Sequence, residues 1–330
     1  MNKIGVIGAG SWGTALAVTL SNKGHSVRIW DIDKTHIREL RENKENVRYL
    51  PGVKFCDRLV PADSVEEALA GADTVLFSAP AQHFRSALES AASYINEDMI
   101  IVNVAKGIEQ KTLMRMSEIT KEMGQYKKYA VLSGPSHAEE VGRAMPTTVV
   151  AASENHDVAV AVQEMFSTDF LRVYTGTDVT GVELGGALKN IIALGAGISD
   201  GLGFGDNAKA AMMTRGIAEM KRLGVKMGAD VNTFAGLTGI GDLIVTCTSM
   251  HSRNRRCGIM IGEGMAPEEA VKNVGMVVEG MFTAEAAYEL ADRLGVEMPI
   301  TNEIYKLIKG QITGKEAVMN LMGRERKPED

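Results

Sequence analysis

Lys3-Ile4-Gly5-Val6-Ile7-Gly8-Ala9-Gly10-Ser11-Trp12-Gly13-Thr14 decides the fold. Ile4, Val6 and Ile7 read as a short buried strand, the glycines as a sharp turn, and Thr14 to Lys23 as a helix. Gly24-His25 breaks that helix, and Val27 to Trp30 reads as a second strand closed by Asp31. In this setting Gly8 permits the tight turn, Gly10 lets a diphosphate approach the backbone, and Gly13 lets helix and strand pack closely. The free N–H groups and positive end of the helix suit that diphosphate. Asp31 follows by roughly the ~20 residues that put a carboxylate on the ribose hydroxyls. The stretch is a dinucleotide site.

The 330 residues are enough for two domains, with 45% hydrophobic and 24% charged residues, an ordinary globular balance. A net charge of −6 carries no basic excess and argues against nucleic acid as a partner. Cys56, Cys247 and Cys257 show no ligand spacing, which fits a reducing compartment and no structural metal. The fingerprint begins almost at Met1, so no removable leader is expected. The apolar run Gly185 to Ile198 contains Lys189 and Asn190 and falls short of the ~20 residues of a membrane span. The expectation is a soluble cytoplasmic protein with no membrane insertion.

Beyond Asp31, helices are expected over Lys34–Asn43, Val65–Ala70, Phe84–Tyr94, Leu113–Met123 and up to Phe166. Between them Thr74–Phe77, Met99–Val104, Tyr129–Leu132, Thr147–Ala152 and Leu171–Tyr174 read as strands. Such alternation predicts an α/β domain, a doubly wound, Rossmann-like and mostly parallel sheet. From about Val179 the strand pattern stops, and Leu184–Leu202, Ala208–Met227, Arg253–Ile261, Thr283–Leu294 and Asn302–Lys309 read as helices. The predicted division is a dinucleotide-binding domain over 1–178 and an all-α substrate domain over 179–330. Gly201-Leu202-Gly203-Phe204-Gly205 follows a helix, so it is a connecting loop and no second dinucleotide turn. Arg324 to Asp330 reads as a frayed tail.

Several groups carry chemistry. Lys106, in Val104-Ala105-Lys106-Gly107, ends a strand at the cofactor edge, where it polarises a carbonyl or holds an anion. Ser136 and Glu139 spell a capping box after Ser133-Gly134-Pro135. Lys189 lies on a helix apolar on most sides; burial lowers a lysine's pKa toward what proton exchange near neutrality needs. Asn190 beside it can fix a substrate hydroxyl or the chain. Asp242, among apolar neighbours, needs a counter-charge, and Lys189 is the candidate. In His251-Ser252-Arg253-Asn254-Arg255-Arg256 there are two readings: Ser252 is an N-cap whose helix end, with Arg253, can hold a phosphate, or the three arginines make a solvated basic face.

With these residues laid out, the chain resembles the bacterial-type NAD(P)-dependent glycerol-3-phosphate dehydrogenases over essentially its whole length. The resemblance rests on the glycine turn, Lys106-Gly107-Ile108-Glu109, Ser133-Gly134-Pro135-Ser136, Leu188-Lys189-Asn190, Gly241-Asp242-Leu243, Ser252-Arg253-Asn254 and Val278-Glu279-Gly280. It implies reversible reduction of dihydroxyacetone phosphate to sn-glycerol 3-phosphate, the precursor of the phospholipid backbone. It further implies Lys189 as proton donor and acceptor, with Lys106 contacting both cofactor and substrate. Asp242, Thr246, Ser252, Arg253, Asn254, Gly134 and Ser136 then match substrate contacts. Ser11, Trp12, Ala138, Arg253, Val277 and Glu279 match cofactor contacts.

One departure matters. Many relatives carry His or Arg just after the second strand, where this chain has Asp31-Ile32-Asp33-Lys34. A carboxylate there repels a 2′-phosphate, so NADH is expected to be favoured over NADPH. Two other readings are a 3-hydroxyacid-type dehydrogenase, lacking need of an arginine cluster, and a non-catalytic dinucleotide sensor. A homodimer paired through the helical domain is a further expectation.

Overall fold

The computed structural model describes every residue except Gln125, Lys327 and Asp330, the last two of which belong to the expected tail. Strands β1 (Lys3–Ile7), β2 (Ser26–Trp30), β3 (Leu59–Pro61), β4 (Thr74–Phe77), β5 (Ile100–Asn103), β6 (Tyr129–Ser133), β7 (Thr147–Ala152) and β8 (Leu171–Gly176) form one sheet in the order 3-2-1-4-5-6-7-8. Neighbours are parallel except β6 and β7. Helices α1 (Ser11–Asn22), α2 (Lys34–Asn43), α3 (Val65–Leu69), α4 (Phe84–Ala91), α5 (Met116–Met123), α6 (Ala138–Gly142) and α7 (His156–Phe166) cover its faces. Strand order reverses at β1, between β2 and β4, and in such sheets ligands bind beyond the carboxyl ends at that reversal.

The remaining chain is helical: α8 (Val179–Gly201), α9 (Asp206–Lys226), α10 (Asp242–Thr248), α11 (Arg253–Gly262), α12 (Pro267–Val274), α13 (Glu279–Leu294), α14 (Pro299–Ile308) and α15 (Gly314–Met322). Helix α8 is longer than its sequence pattern suggested, 23 residues and apolar enough to cross a membrane by length and composition alone. Its burial inside the protein makes it the axis of the helical core instead. Glycine explains how α11 packs on it. A Cβ on Gly197 would lie 2.1 Å from the carbonyl oxygen of Arg255, and one on Gly258 would lie 2.1 Å from that of Leu194. The two backbones touch, which fixes α11 against α8 with no intervening side chain.

Three sequence expectations are corrected. Strand β3 went unread because it has three residues and ends in Pro61, tolerable only because it pairs solely with β2 at the sheet edge. Helix α5 begins at Met116 and not at Leu113, whose φ of 62° is left-handed and non-helical. Ser136 does not cap α6: the residue before that helix is His137, with no side-chain cap. The Ser136 hydroxyl instead donates to the Gly134 carbonyl at 2.8 Å.

Candidate active site

The glycine turn behaves as its spacing requires. Gly8 has φ 108°, reachable without strain only by glycine, and a Cβ there would meet Ala79 N at 2.9 Å. A Cβ on Gly13 would lie 2.1 Å from the Gly8 carbonyl oxygen, so α1 rests directly on the turn. A Cβ on Gly10 would meet nothing within 4 Å, which leaves the backbone open to a ligand. Helix α1 starts with no side-chain cap, so its first-turn N–H groups face that space unspent. From here a cavity of about 720 Å³ runs along the strand ends to the helical half of the chain.

At its floor is a charged cluster built from four elements. Lys189, mid-way along α8, donates from Nζ to Asp242 Oδ1 at 2.5 Å and to Thr246 Oγ1 at 2.7 Å. Thr246 can accept because its own proton goes to the Asp242 carbonyl at 2.5 Å, one turn back on α10. Lys106, just past β5, donates to Asp242 Oδ2 at 2.8 Å, to Gly134 O at 2.9 Å and to Ser136 Oγ at 3.4 Å. An ammonium has three donors. Those of Lys106 are all engaged; Lys189 keeps one for the cavity.

The side chains of Lys189 and Asp242 are 7% and 1% exposed. Burial lowers the Lys189 pKa from the ordinary 10.5 to about 8, with the charge of Lys106 adding to the fall and that of Asp242 resisting it. Burial pushes the Asp242 carboxyl upward, but the two lysines outweigh it and hold it below the usual carboxylate range. Asp242 is therefore the fixed anion and Lys189 the group that titrates.

Asn190 and Asn254 tie the helices together. Asn190 Nδ2 donates to Lys106 O at 3.2 Å, and its Oδ1 accepts from Asn254 Nδ2 at 2.9 Å. Asn254 Oδ1 in turn accepts from Gly280 N at 2.8 Å, at the start of α13. Ser252 does cap α11, accepting from Arg255 N at 3.2 Å. Of the arginines that follow, Arg255 is a brace, donating to Asp200 Oδ2 at 2.9 and 2.8 Å. Arg253 lines the cavity and, among the described residues, makes no hydrogen bond or ion pair. The charges of Glu279 and Glu139 act on it without bonding it, so its N–H donors remain for an anion in the cavity.

The cavity brings together Gly8, Gly10, Ser11, Trp12, Asp31, Lys106, Ser136, Ala138, Lys189, Asn190, Asp242, Thr246, Ser252, Arg253, Asn254, Val277 and Glu279. Gly13 and Gly134 do not line it; they support the turn and accept from Lys106. Sequence reasoning missed Tyr49, His83 and the pair His137 and His251, whose rings lie 5.6 Å apart in the same wall. Burial and the nearby Lys189 charge hold His137 below the ordinary histidine range. It also missed Ser78-Ala79-Pro80 as lining, although their place after β4 was the signal.

Known proteins share this chain's sequence and fold. The family model for the NAD-dependent glycerol-3-phosphate dehydrogenase N-terminus matches residues 3–159, and that for its C-terminus matches residues 178–319. The chain belongs to the NAD-dependent glycerol-3-phosphate dehydrogenase family. A glycerol-3-phosphate dehydrogenase (NAD(P)+) of Clostridium perfringens is 49% identical over 330 residues, 100% of both chains. One from Bacillus mycoides is 52% identical over 332 residues, covering 100% of this chain and 98% of the relative. The 2.1 Å crystal structure of glycerol-3-phosphate dehydrogenase from Coxiella burnetii matches with a TM-score of 0.94 at 38% identity, over 98% of this chain and 99% of that one. Like its family, this dehydrogenase is an NAD(P)-dependent oxidoreductase acting on a CH–OH group.

Proposed function

We propose that the chain reduces dihydroxyacetone phosphate to sn-glycerol 3-phosphate, reversibly, in the service of glycerophospholipid synthesis. The observation that carries this reading is Lys189, buried beside Asp242 with two of its three donors engaged, in one cavity with an Arg253 that makes no hydrogen bond among the described residues. The first supplies a proton to a carbonyl; the second calls for a substrate bearing an anion.

The residues present fit a dinucleotide. The α1 N-terminus is uncapped, Gly10 is open, and Trp12 Nε1 and Glu279 Oε2 are buried polar atoms without hydrogen-bond partners among the described residues. When bound, the nicotinamide cofactor supplies the hydride in one direction and receives it in the other. Gly8, Gly10, Ser11, Trp12, Ala138, Val277 and Glu279 are the residues that would hold it, with the diphosphate over the α1 N-terminus.

Lys189 gives a proton from Nζ to the ketone oxygen as it gains negative charge, and recovers it from the carbinol in reverse. A pKa of about 8 keeps both forms of the lysine populated near neutral pH. Asp242 and Thr246 hold Nζ in place. Lys106 adds positive charge beside the developing alkoxide and anchors Gly134 and Ser136, which we assign to the substrate. Arg253 and the Ser252-capped end of α11 take the phosphate. Asn190 and Asn254 keep α8, α11 and α13 in register around it.

Asp31 lines the cavity with Oδ2 accepting from Ala9 N at 2.8 Å and Oδ1 from Asp33 N at 3.1 Å. Each oxygen keeps a lone pair for a ribose hydroxyl, and the fixed charge opposes a 2′-phosphate. NADH is therefore the favoured cofactor. The three unpaired cysteines suit the reducing cytoplasm. The test is nicotinamide absorbance with purified protein and dihydroxyacetone phosphate. Rapid oxidation of NADH, with slower oxidation of NADPH, is the expected result. Cofactor binding without oxidation would favour the sensor reading, and equal kcat/KM for both cofactors would remove the preference.

A further inference from the structure

Resting on the reading that Asp31 holds the adenosine ribose, we propose that the ion pair Asp33–Arg48 is a second discriminator against a 2′-phosphate. Asp33 acts by occupying a guanidinium that would otherwise clamp that phosphate.

The rim of the cavity after β2 is formed by Asp31, Ile32 and Asp33, with Tyr49 also lining it. Asp33 uses its carboxylate twice. Oδ1 caps α2, accepting from Thr35 N at 2.9 Å and His36 N at 3.2 Å. Oδ2 accepts from Arg48 Nη1 at 3.1 Å. Backbone N–H groups of α2 and then the Arg48 charge draw the Asp33 carboxyl below its usual range, so it is an anion throughout the working pH.

Arg48 is held at this spot from below as well. Its guanidinium lies 5.0 Å from the centroid of the Tyr49 ring. Tyr49 meets His36 edge-on at 5.0 Å, and His36 Nε2 is 3.1 Å from Ala9 O in the glycine turn. Asn46 Nδ2 also donates to Ala9 O, at 2.9 Å. The segment carrying Arg48 is thus bonded to the same turn that Asp31 holds through Ala9 N. A phosphate on the ribose hydroxyl beside Asp31 would arrive at the Asp33–Arg48 pair.

Arg48 is 54% exposed and Asp33 44%, so the guanidinium is free to re-aim once its partner loses charge. As folded, the rim offers a 2′-phosphate the two carboxylates of Asp31 and Asp33, while the guanidinium of Arg48, which does not itself line the cavity, is spent on Asp33. Asp33→Asn keeps an oxygen to cap α2 but removes the charge that holds Arg48. A released guanidinium gains a charge-assisted bond to the phosphate.

The test is calorimetric binding of two cofactor fragments, adenosine 2′,5′-bisphosphate and 5′-AMP, to the full-length protein. The wild type should bind 5′-AMP more tightly. Asp33→Asn should tighten the bisphosphate by about tenfold, as one charge-assisted hydrogen bond supplies, and leave 5′-AMP unchanged. Adding Arg48→Gln should erase that gain, and circular dichroism checks that each variant is folded. No tightening in Asp33→Asn, or a gain that Arg48→Gln leaves intact, overturns the proposal. A wild type that binds both fragments equally overturns it together with the Asp31 reading, while the dehydrogenase reaction is judged separately by the absorbance assay.

Discussion

Asp242 Oδ1 accepts from Lys189 Nζ at 2.5 Å, across 53 positions of sequence, while its other oxygen accepts from Lys106 at 2.8 Å. One carboxylate therefore sets both the position and the charge of the proton-bearing lysine. Lys189→Ala should lower kcat by about 10²–10⁴-fold, the usual worth of a placed acid–base group. Cofactor affinity, read by fluorescence titration, should stay near the wild-type value because the hydrogen bonds of Lys189 Nζ go to Asp242 and Thr246 and not to the glycine turn. Parallel loss of cofactor binding would move Lys189 from chemistry to scaffold.

Asp242→Asn leaves the buried Lys189 ammonium and the half-buried Lys106 ammonium facing a neutral amide. Breaking a buried ion pair from one side costs about 3–5 kcal/mol, which denaturant titration measures directly. The same change removes the charge that raises the Lys189 pKa, so proton loss from Lys189 moves to lower pH. Reduction of the ketone should then fail at a lower pH than in the wild type.

Among the described residues Arg253 donates no hydrogen bond, and its charge is met only at longer range by Glu279 and Glu139, so Arg253→Ala should cost substrate binding more than stability. Removing a charged bond to phosphate is worth about 1.5–3 kcal/mol, or roughly 10- to 150-fold in KM for dihydroxyacetone phosphate. An unchanged KM would favour the hydroxyacid reading. Arg255→Ala should behave oppositely, since Arg255 already braces Asp200 at 2.8 Å: thermal stability falls.

Gly197→Ala tests the contact that carries α11. Its Cβ would sit 2.1 Å from a backbone oxygen, so no rotamer relieves the clash. Overpacking of this kind costs about 1–3 kcal/mol. Because α11 bears Ser252, Arg253 and Asn254, the KM for the phosphorylated substrate should rise along with the fall in melting temperature. A fall in stability with KM unmoved would show that the phosphate site does not depend on this packing.

Local pattern made much of this legible. The β1–α1–β2 unit could be read because its strand residues, its glycines and Asp31 act within one short stretch. Lys189 and Asp242 could be paired because buried ions of opposite sign need each other. What escaped depends on partners distant in sequence. Ser136 looked like a helix cap, yet its hydroxyl bonds Gly134 O and accepts from Lys106. Asn190 left two roles open until Asn254 and Gly280 showed where its amide is spent. The spacing Gly197-x-x-x-Gly201 and Gly258-x-x-x-Gly262 is visible in the sequence, but which helix each would meet is not.

The most direct test is the pH dependence of kcat/KM measured in both directions. This profile reports the free enzyme's ionisations. Reduction needs Lys189 protonated and oxidation needs it neutral. With its pKa lowered to about 8, reduction should fall and oxidation should rise as pH increases through that value. Both limbs should vanish in Lys189→Ala. Profiles that bend the same way in both directions, or limbs that survive the substitution, would contradict Lys189 as the proton carrier.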